Sequence, residues 1–189
     1  MISKKYAQGF SLVEMMIIVL ILSGLSVLLI SNFGSSKTNA TARHQVSQVI
    51  VADVRRAQSL ALSGAGHLGQ PVCGYGLHWI DSGSYIIYSG APEGGVPSCA
   101  TANRNYQSGI DSILSTSRID NTKLGVVGIG GASFNDIFFE SPDPRVYIDG
   151  TYNLNTTVDI QVITQGQACI SSTCTTVTVS GSGSVGVAN

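Results

Sequence analysis

Gly9-Phe10-Ser11-Leu12-Val13-Glu14-Met15-Met16-Ile17-Ile18-Val19-Leu20-Ile21-Leu22 is the stretch that decides how this chain reads. One carboxylate stands near the start of an apolar run that continues through Ser23-Gly24-Leu25-Ser26-Val27-Leu28-Leu29-Ile30. A charged side chain on an apolar helix costs about 3 kcal/mol on insertion scales, so a glutamate kept there points to a partner or a function. Upstream lies a short basic segment ending in glycine, with Lys4 and Lys5. Read as one helix, residues 10–29 rise about 30 Å, the thickness of a hydrocarbon core. The positive-inside rule then predicts a cytoplasmic N-terminus and a chain lying across the membrane after about Ser31.

Two simpler readings compete. A secretory signal peptide needs a shorter apolar region followed directly by a small-residue cleavage site. Here the run is too long, and Ala40-Thr41-Ala42 lies well past its end. A plain signal anchor has no use for Glu14.

The residues GFSLVEMMIIVLIL resemble the class III signal of type IV pilins and pseudopilins. Four elements coincide: a basic leader, a glycine, Phe-x-x-x-Glu and an uninterrupted apolar span. The resemblance implies that a membrane aspartyl protease, the prepilin peptidase, cuts between Gly9 and Phe10 and methylates the Phe10 amine. It also implies that Glu14 serves assembly. Opposite charges attract strongly in a low-dielectric helix bundle, so Glu14 beside a neighbour's N-terminal amine favours one axial register. The plainer reading of Glu14 is a side chain that snorkels to the interface.

The helical pattern extends beyond the apolar run. Asn32-Phe33-Gly34 is a weak point, since glycine costs about 1 kcal/mol against alanine inside a helix. From there, Val46, Ile50, Val54, Ala57 and Ala61 recur at spacings of three and four, the signature of one buried face. Gln48, Asp53, Arg55, Arg56 and Ser59 fall largely elsewhere, and Ser63-Gly64-Ala65-Gly66 stops the helix. The expected organisation is a leader over 1–9, a transmembrane helix over 10–30, an amphipathic helix over 31–64 and a β-rich head over 65–189.

The head is rich in Gly, Ser, Thr and Val. Its apolar stretches predict strands over 74–80, 85–89, 124–129, 136–140, 145–148, 157–164, 175–180 and 184–187. Asp81-Ser82-Gly83, Asp149-Gly150 and Gly181-Ser182-Gly183 read as turns. Residues 91–121 carry two prolines and little periodicity, and read as a long connection with at most one short element. About 120 residues suffice for one β-rich domain covered by the amphipathic helix.

Within the pilin-like group, Arg55-Arg56-Ala57-Gln58-Ser59-Leu60-Ala61 resembles a helix stretch of the GspH/FimT-type minor pilins and pseudopilins, with Gln58 where that pattern usually has arginine. The close of the chain, 177–185, resembles that family's final hairpin. The fold this implies is α+β: a long N-terminal helix, half transmembrane and half amphipathic, packed on a head of two antiparallel sheets. The implied function is that of a minor pilin in a type IV pilus or its tip or initiation complex. The alternative is a minor pseudopilin of a type II secretion system. The implied partners are the prepilin peptidase, other pilins or pseudopilins and the inner membrane, with the head in the periplasm.

Some FimT-type proteins bind DNA through a Gly-Arg-x-Arg motif in the final hairpin, where this chain has Gly181-Ser182-Gly183-Ser184. With the leader removed, ten basic residues less Lys4 and Lys5 leaves eight against eleven acidic ones, a net charge of about −3. Nucleic-acid affinity draws mainly on basic side chains facing phosphates, and Arg104, Arg118, Lys123 and Arg145 are scattered. Nucleic-acid binding is therefore disfavoured. A third reading is an adhesin whose long 91–121 loop meets a surface.

Cys73, Cys99, Cys169 and Cys174 are an even set, consistent with disulfides in an oxidising compartment. Three connectivities exist. The short interval favours Cys169–Cys174, which leaves Cys73–Cys99. Zinc is disfavoured, because His67 and His78 flank Cys73 at the wrong spacing. No nucleophile elbow, His-Glu-x-x-His or phosphate loop is present, so neither an enzyme nor a cofactor is expected. Asp136, Glu140, Asp143 and Asp149 read as solvated or turn-capping acids, with a calcium site at Asp143, Asp149 and Asp159 supported only by charge. His44 reads as a surface residue and Trp79 as a core or edge residue. N-terminal sequencing of protein from cells with a working peptidase should begin at methylated Phe10; a retained Met1, or a cut near Ala42, would end the pilin-like reading.

Overall fold

The computed structural model describes residues 11–32, 36–81, 83–92, 98–119, 127–132, 134–143, 145–164, 168–170 and 173–188. The cleavage pair Gly9 and Phe10, the leader lysines and Lys123 lie outside them. The chain divides into two compact units, Met1–Thr38 and Asn39–Asn189.

Two features of the expected architecture are corrected. In place of one long N-terminal helix there are two, α1 (Leu12–Asn32) and α2 (Ser36–Ser63). Residues 33–35, which lie between the two, are outside the described residues, and their sequence Phe-Gly-Ser is poor in helix propensity. Among the described residues, moreover, no helix is long and apolar enough to cross a membrane. Among the described residues, then, the expected transmembrane half, and with it the single-pass placement in the inner membrane, finds no helix to carry it.

The β-rich expectation holds. Among the described residues, ten strands form two antiparallel sheets. The six-stranded sheet has the order β3 (Ser112–Arg118), β2 (Ser84–Gly90), β1 (Gly74–Asp81), β5 (Asp136–Glu140), β6 (Val146–Ile148), β7 (Thr151–Tyr152). The four-stranded sheet has the order β10 (Val185–Ala188), β9 (Cys174–Ser180), β8 (Thr157–Thr164), β4 (Val127–Ala132). β3 lies inside the segment read as a long connection. Its sequence Ser-Ile-Leu-Ser-Thr-Ser-Arg carries too little apolar alternation to announce a strand, and its pairing with β2 makes it one. β7 was likewise not expected; at two residues it exists only as a partner of β6.

One core joins α2 to both sheets. Ile50, Val54, Ala57 and Ala61 of α2 are fully buried. They share a cluster with Tyr75, Leu77, Tyr85, Ile87, Ile137 and Phe139 of the larger sheet and with Val158, Ile160, Val162, Val177 and Val179 of the smaller. Period-two alternation supplies each sheet's contribution, and a 3.6 period supplies the helix's. Gly64, in the left-handed conformation at φ 60°, ends α2, its N–H donating to the Ala61 carbonyl at 3.1 Å. Asp53, which the pattern put off the buried face, instead accepts hydrogen bonds from Tyr85 (2.6 Å) and Ser117 (2.9 Å), tying α2 to β2 and β3. Burial first, and Asp53 second, push the Tyr85 hydroxyl far above its usual pKa.

The opposite face of the larger sheet is also covered. Tyr88 and Phe138 form a second cluster with Cys73 and Ala102. The ring of Tyr88 lies so close over Gly76 that a Cβ there would stand 2.7 Å from it and from the Ile137 carbonyl oxygen. Gly76→Ala should therefore lower stability by about 1–3 kcal/mol, the usual cost of overpacking, read as a lower urea midpoint at unchanged slope.

Candidate assembly surface

α1 is built from a run of leucine, isoleucine, valine and methionine without proline, bounded by serine. Its first turn closes with Met15 N–H donating to the Ser11 carbonyl at 3.2 Å. Ser11 and Glu14 have the spacing of a capping box, and a carboxylate in the first turn is favoured by the helix dipole. Local helix chemistry thus gives Glu14 one role that needs no partner. The hydroxyls of Ser23 and Ser26 donate back to the carbonyls of Leu20 (2.9 Å) and Leu22 (2.8 Å), so they add no unmet polar group to the helix surface.

Every side chain from Ser11 to Leu28 is exposed. The exposed residues lie on all sides of the helix: Leu12 is 77% exposed, Leu20 73%, Val27 67% and Met16 66%. Soluble monomers rarely expose contiguous apolar patches beyond about 300–600 Å². A helix that is apolar all round is normally covered. Glu14 makes no ion pair among the described residues. The chemistry this arrangement offers is association: a large apolar surface with one acid at its beginning.

In the unit Asn39–Asn189, the segment 98–111 is fastened across the outer face of the larger sheet. The Cys73–Cys99 disulfide ties its start to the entry of β1. Arg104 donates to Glu140 at 2.6 Å, while Tyr147 donates to the other oxygen of the same carboxylate at 3.1 Å. The guanidinium also lies over the Tyr147 ring. Further along, Asp136 accepts the Tyr106 N–H at 3.0 Å and faces His78 Nδ1 at 3.1 Å, and the Tyr106 ring lies against that of His78 in a tilted contact, centroids 4.7 Å apart. Asp111 closes the segment by accepting from the backbone of Ala91 and Gln107.

This clamp corrects two expectations. Asp136 and Glu140, read as solvated or turn-capping acids, are respectively buried and half-buried, and each has a specific partner. The sequence signal that was missed is their alternation with Ile137 and Phe139 on one strand, which puts both acids on the face the segment covers. Asp149 does act as a capping acid, accepting from the backbone of Asn135 and Asp136. Asp143 pairs with exposed Arg145, and Asp159 accepts from Thr178. The three acids weighed for calcium are thus engaged separately, and among the described residues no cluster suited to a metal is found. His44 is exposed, and Trp79 is buried in the main core.

Both disulfides have the favoured pairing, Cys73–Cys99 and Cys169–Cys174. The final hairpin joins β9 to β10 through Ser180–Ser184. Its turn is held by serine hydroxyls and by Gln58 of α2, which donates to the Gly183 carbonyl at 3.3 Å. Gln58 of α2 therefore reaches this turn. Arg104 and Arg145 each face a carboxylate. No family model, curated protein or solved structure matches this chain.

The Asp136 carboxyl titrates above its usual range, chiefly through burial, with the Tyr106 N–H and His78 pulling the other way. The folded state therefore holds this proton more tightly than the unfolded chain. Its contribution to stability is greatest below the unfolded pKa of about 3.9 and falls as pH rises towards the folded value. Urea unfolding between pH 3.5 and 7 should show Asp136→Asn gaining on wild type across that window. Parallel curves would refute the assignment.

Proposed function

We propose that this chain is a structural subunit of the pilin-like class, a GspH/FimT-type minor pilin built into a type IV pilus or its tip or initiation complex after cleavage between Gly9 and Phe10. The observation that carries this reading is the exposed, all-round apolar helix α1 with Glu14 in its first turn, directly after a glycine-ended basic leader. Three further features support it: a head with two antiparallel sheets on an amphipathic helix, a final β9–β10 hairpin, and Gln58 at the helix position next to that hairpin's turn.

The mechanism is associative. Packing α1 helices of like subunits side by side removes their apolar surface from water, at about 25 cal/mol per Å². Apolar packing alone tolerates axial sliding, because its attraction has no direction. A carboxylate four residues beyond Phe10 breaks that degeneracy. When Glu14 meets the amine of a neighbouring Phe10 within the bundle, both charges are satisfied, and any other register leaves them buried and unpaired. The clamped head meanwhile presents a rigid surface to neighbouring heads.

Glu14→Ala should leave processing, both disulfides and the head's far-UV circular dichroism unchanged, while lowering incorporation into sheared filaments about tenfold or more. That factor corresponds to about 1.4 kcal/mol per subunit. Wild-type incorporation of the variant would show that Glu14 serves only the first turn of its own helix.

A further inference from the structure

A cavity of about 530 Å³ opens beside Ser112, the first residue of β3. Leu68, Pro71, Val72, Pro92 and Ile110 line it together with Ser112. Its volume lies within the range of sites that hold a side chain or small ligand. Among the described lining residues, His67 is the one ionisable side chain.

Two features of the rim are costly unless used. His67 and Gln70 exchange backbone hydrogen bonds at 3.0 and 2.9 Å, closing a tight turn whose central residues are Leu68 and Gly69. Leu68 sits there at φ 51°, a left-handed conformation that branched side chains seldom adopt, and is 83% exposed. Such a backbone outlier is the kind of feature from which a functional hypothesis properly starts. Ile110, also in the lining, is 53% exposed.

The second observation is the strand itself. β3 is an edge of the larger sheet, pairing with β2 on one side and, among the described residues, with no strand on the other. Proteins commonly guard such edges with lysine or proline. Ser112 to Ser117 contains neither, nor any charge, and the strand's one charged residue, Arg118, stands at the end remote from the cavity-lining Ser112. An irregularity opposite Ile87 and Tyr88 separates the Ser112 end from regular pairing over 115–118, which limits the registers a new strand can take. Directly opposed residues on neighbouring strands share a face. A residue placed opposite Ser112 would therefore point to the side of the sheet on which Ser112 lines the cavity.

We propose that β3 and this cavity form a docking site for an extended polypeptide segment, uncharged and carrying one apolar side chain that enters the cavity. The row of N–H and C=O groups along β3 selects a polypeptide backbone over an acyl chain or a small apolar molecule. The uncharged stretch Ser112–Ser117 and the mostly apolar lining select the side chains, as in other recognition by strand addition. This inference is independent of the assembly role of α1.

The test uses the full chain with both disulfides intact, in detergent micelles. The probes are fluorescein-labelled hexapeptides of alternating threonine and valine with Ala, Val, Leu or Phe at one central position, each also made with alternate N-methylated amides. Expected are saturable binding below about 1 mM by the Val, Leu or Phe peptide, slowed amide exchange over 112–118, and at least about tenfold weaker binding of the N-methylated form. Leu68→Asn retains the turn, since asparagine tolerates positive φ. Its melting temperature should be unchanged or raised, while binding weakens about threefold or more. Absence of saturable binding at about 1 mM for the whole panel, equal binding of the N-methylated peptides, unprotected 112–118 amides, or undiminished binding by Leu68→Asn would each overturn the proposal. Equal uptake of N-methylated peptides would identify simple apolar partitioning.

Discussion

The burial of one face of α2 between two sheets is the constraint on which the head depends. Neither sheet has a complete core alone. The inner residues of the larger sheet, such as Leu77, Ile87 and Ile137, and those of the smaller, such as Ile160 and Val177, meet in the cluster that contains Ile50, Val54, Ala57 and Ala61. The alanines matter as much as the larger residues, since a small side chain lets a helix approach a sheet closely. Asp53 adds direction to this packing. Its bonds to Tyr85 and Ser117 make the helix favour one rotation and translation, which apolar contact by itself would not select.

A different principle governs the outer face of the larger sheet. There, a segment with little apolar content is held by specific links: a disulfide, the Arg104–Glu140 pair and the Asp136 contacts to His78 and Tyr106. Polar groups buried in this way are costly unless each has a partner, and here the partners come from both the segment and the sheet. The result explains why β2 is buried along its whole length although its sequence alternates little in polarity. α1 lies at the other extreme. It is helical by composition, Ser23 and Ser26 bond to its own backbone, and its apolar side chains from Leu12 to Leu28 are exposed.

Much of the head was legible because period-two and 3.6-residue patterns report which face is buried. The alternation Val158, Ile160, Val162 announces β8, and the spacing of Val46, Ile50 and Val54 announces α2. β3 was not legible, since its serines and threonines carry no such signal and only pairing with β2 makes it a strand. The Arg104–Glu140 contact spans 36 positions, and neither residue stands out locally. The division into α1 and α2, and the want of a membrane-crossing helix among the described residues, also ran against the reading of one continuous span. A run of apolar letters shows hydrophobicity without fixing how far one helix extends.

The sequence by itself determined the apolar character of α1, the acid near its start, the buried face of α2 and the residues most ready to form strands, because each depends on neighbours a few positions away. Only the tertiary structure decided the two-sheet order, the burial of Asp136, the edge position of β3 and the cavity beside it. Those depend on which distant segments meet, and the contacts that settle it are made through backbone pairing and close packing that no local pattern encodes.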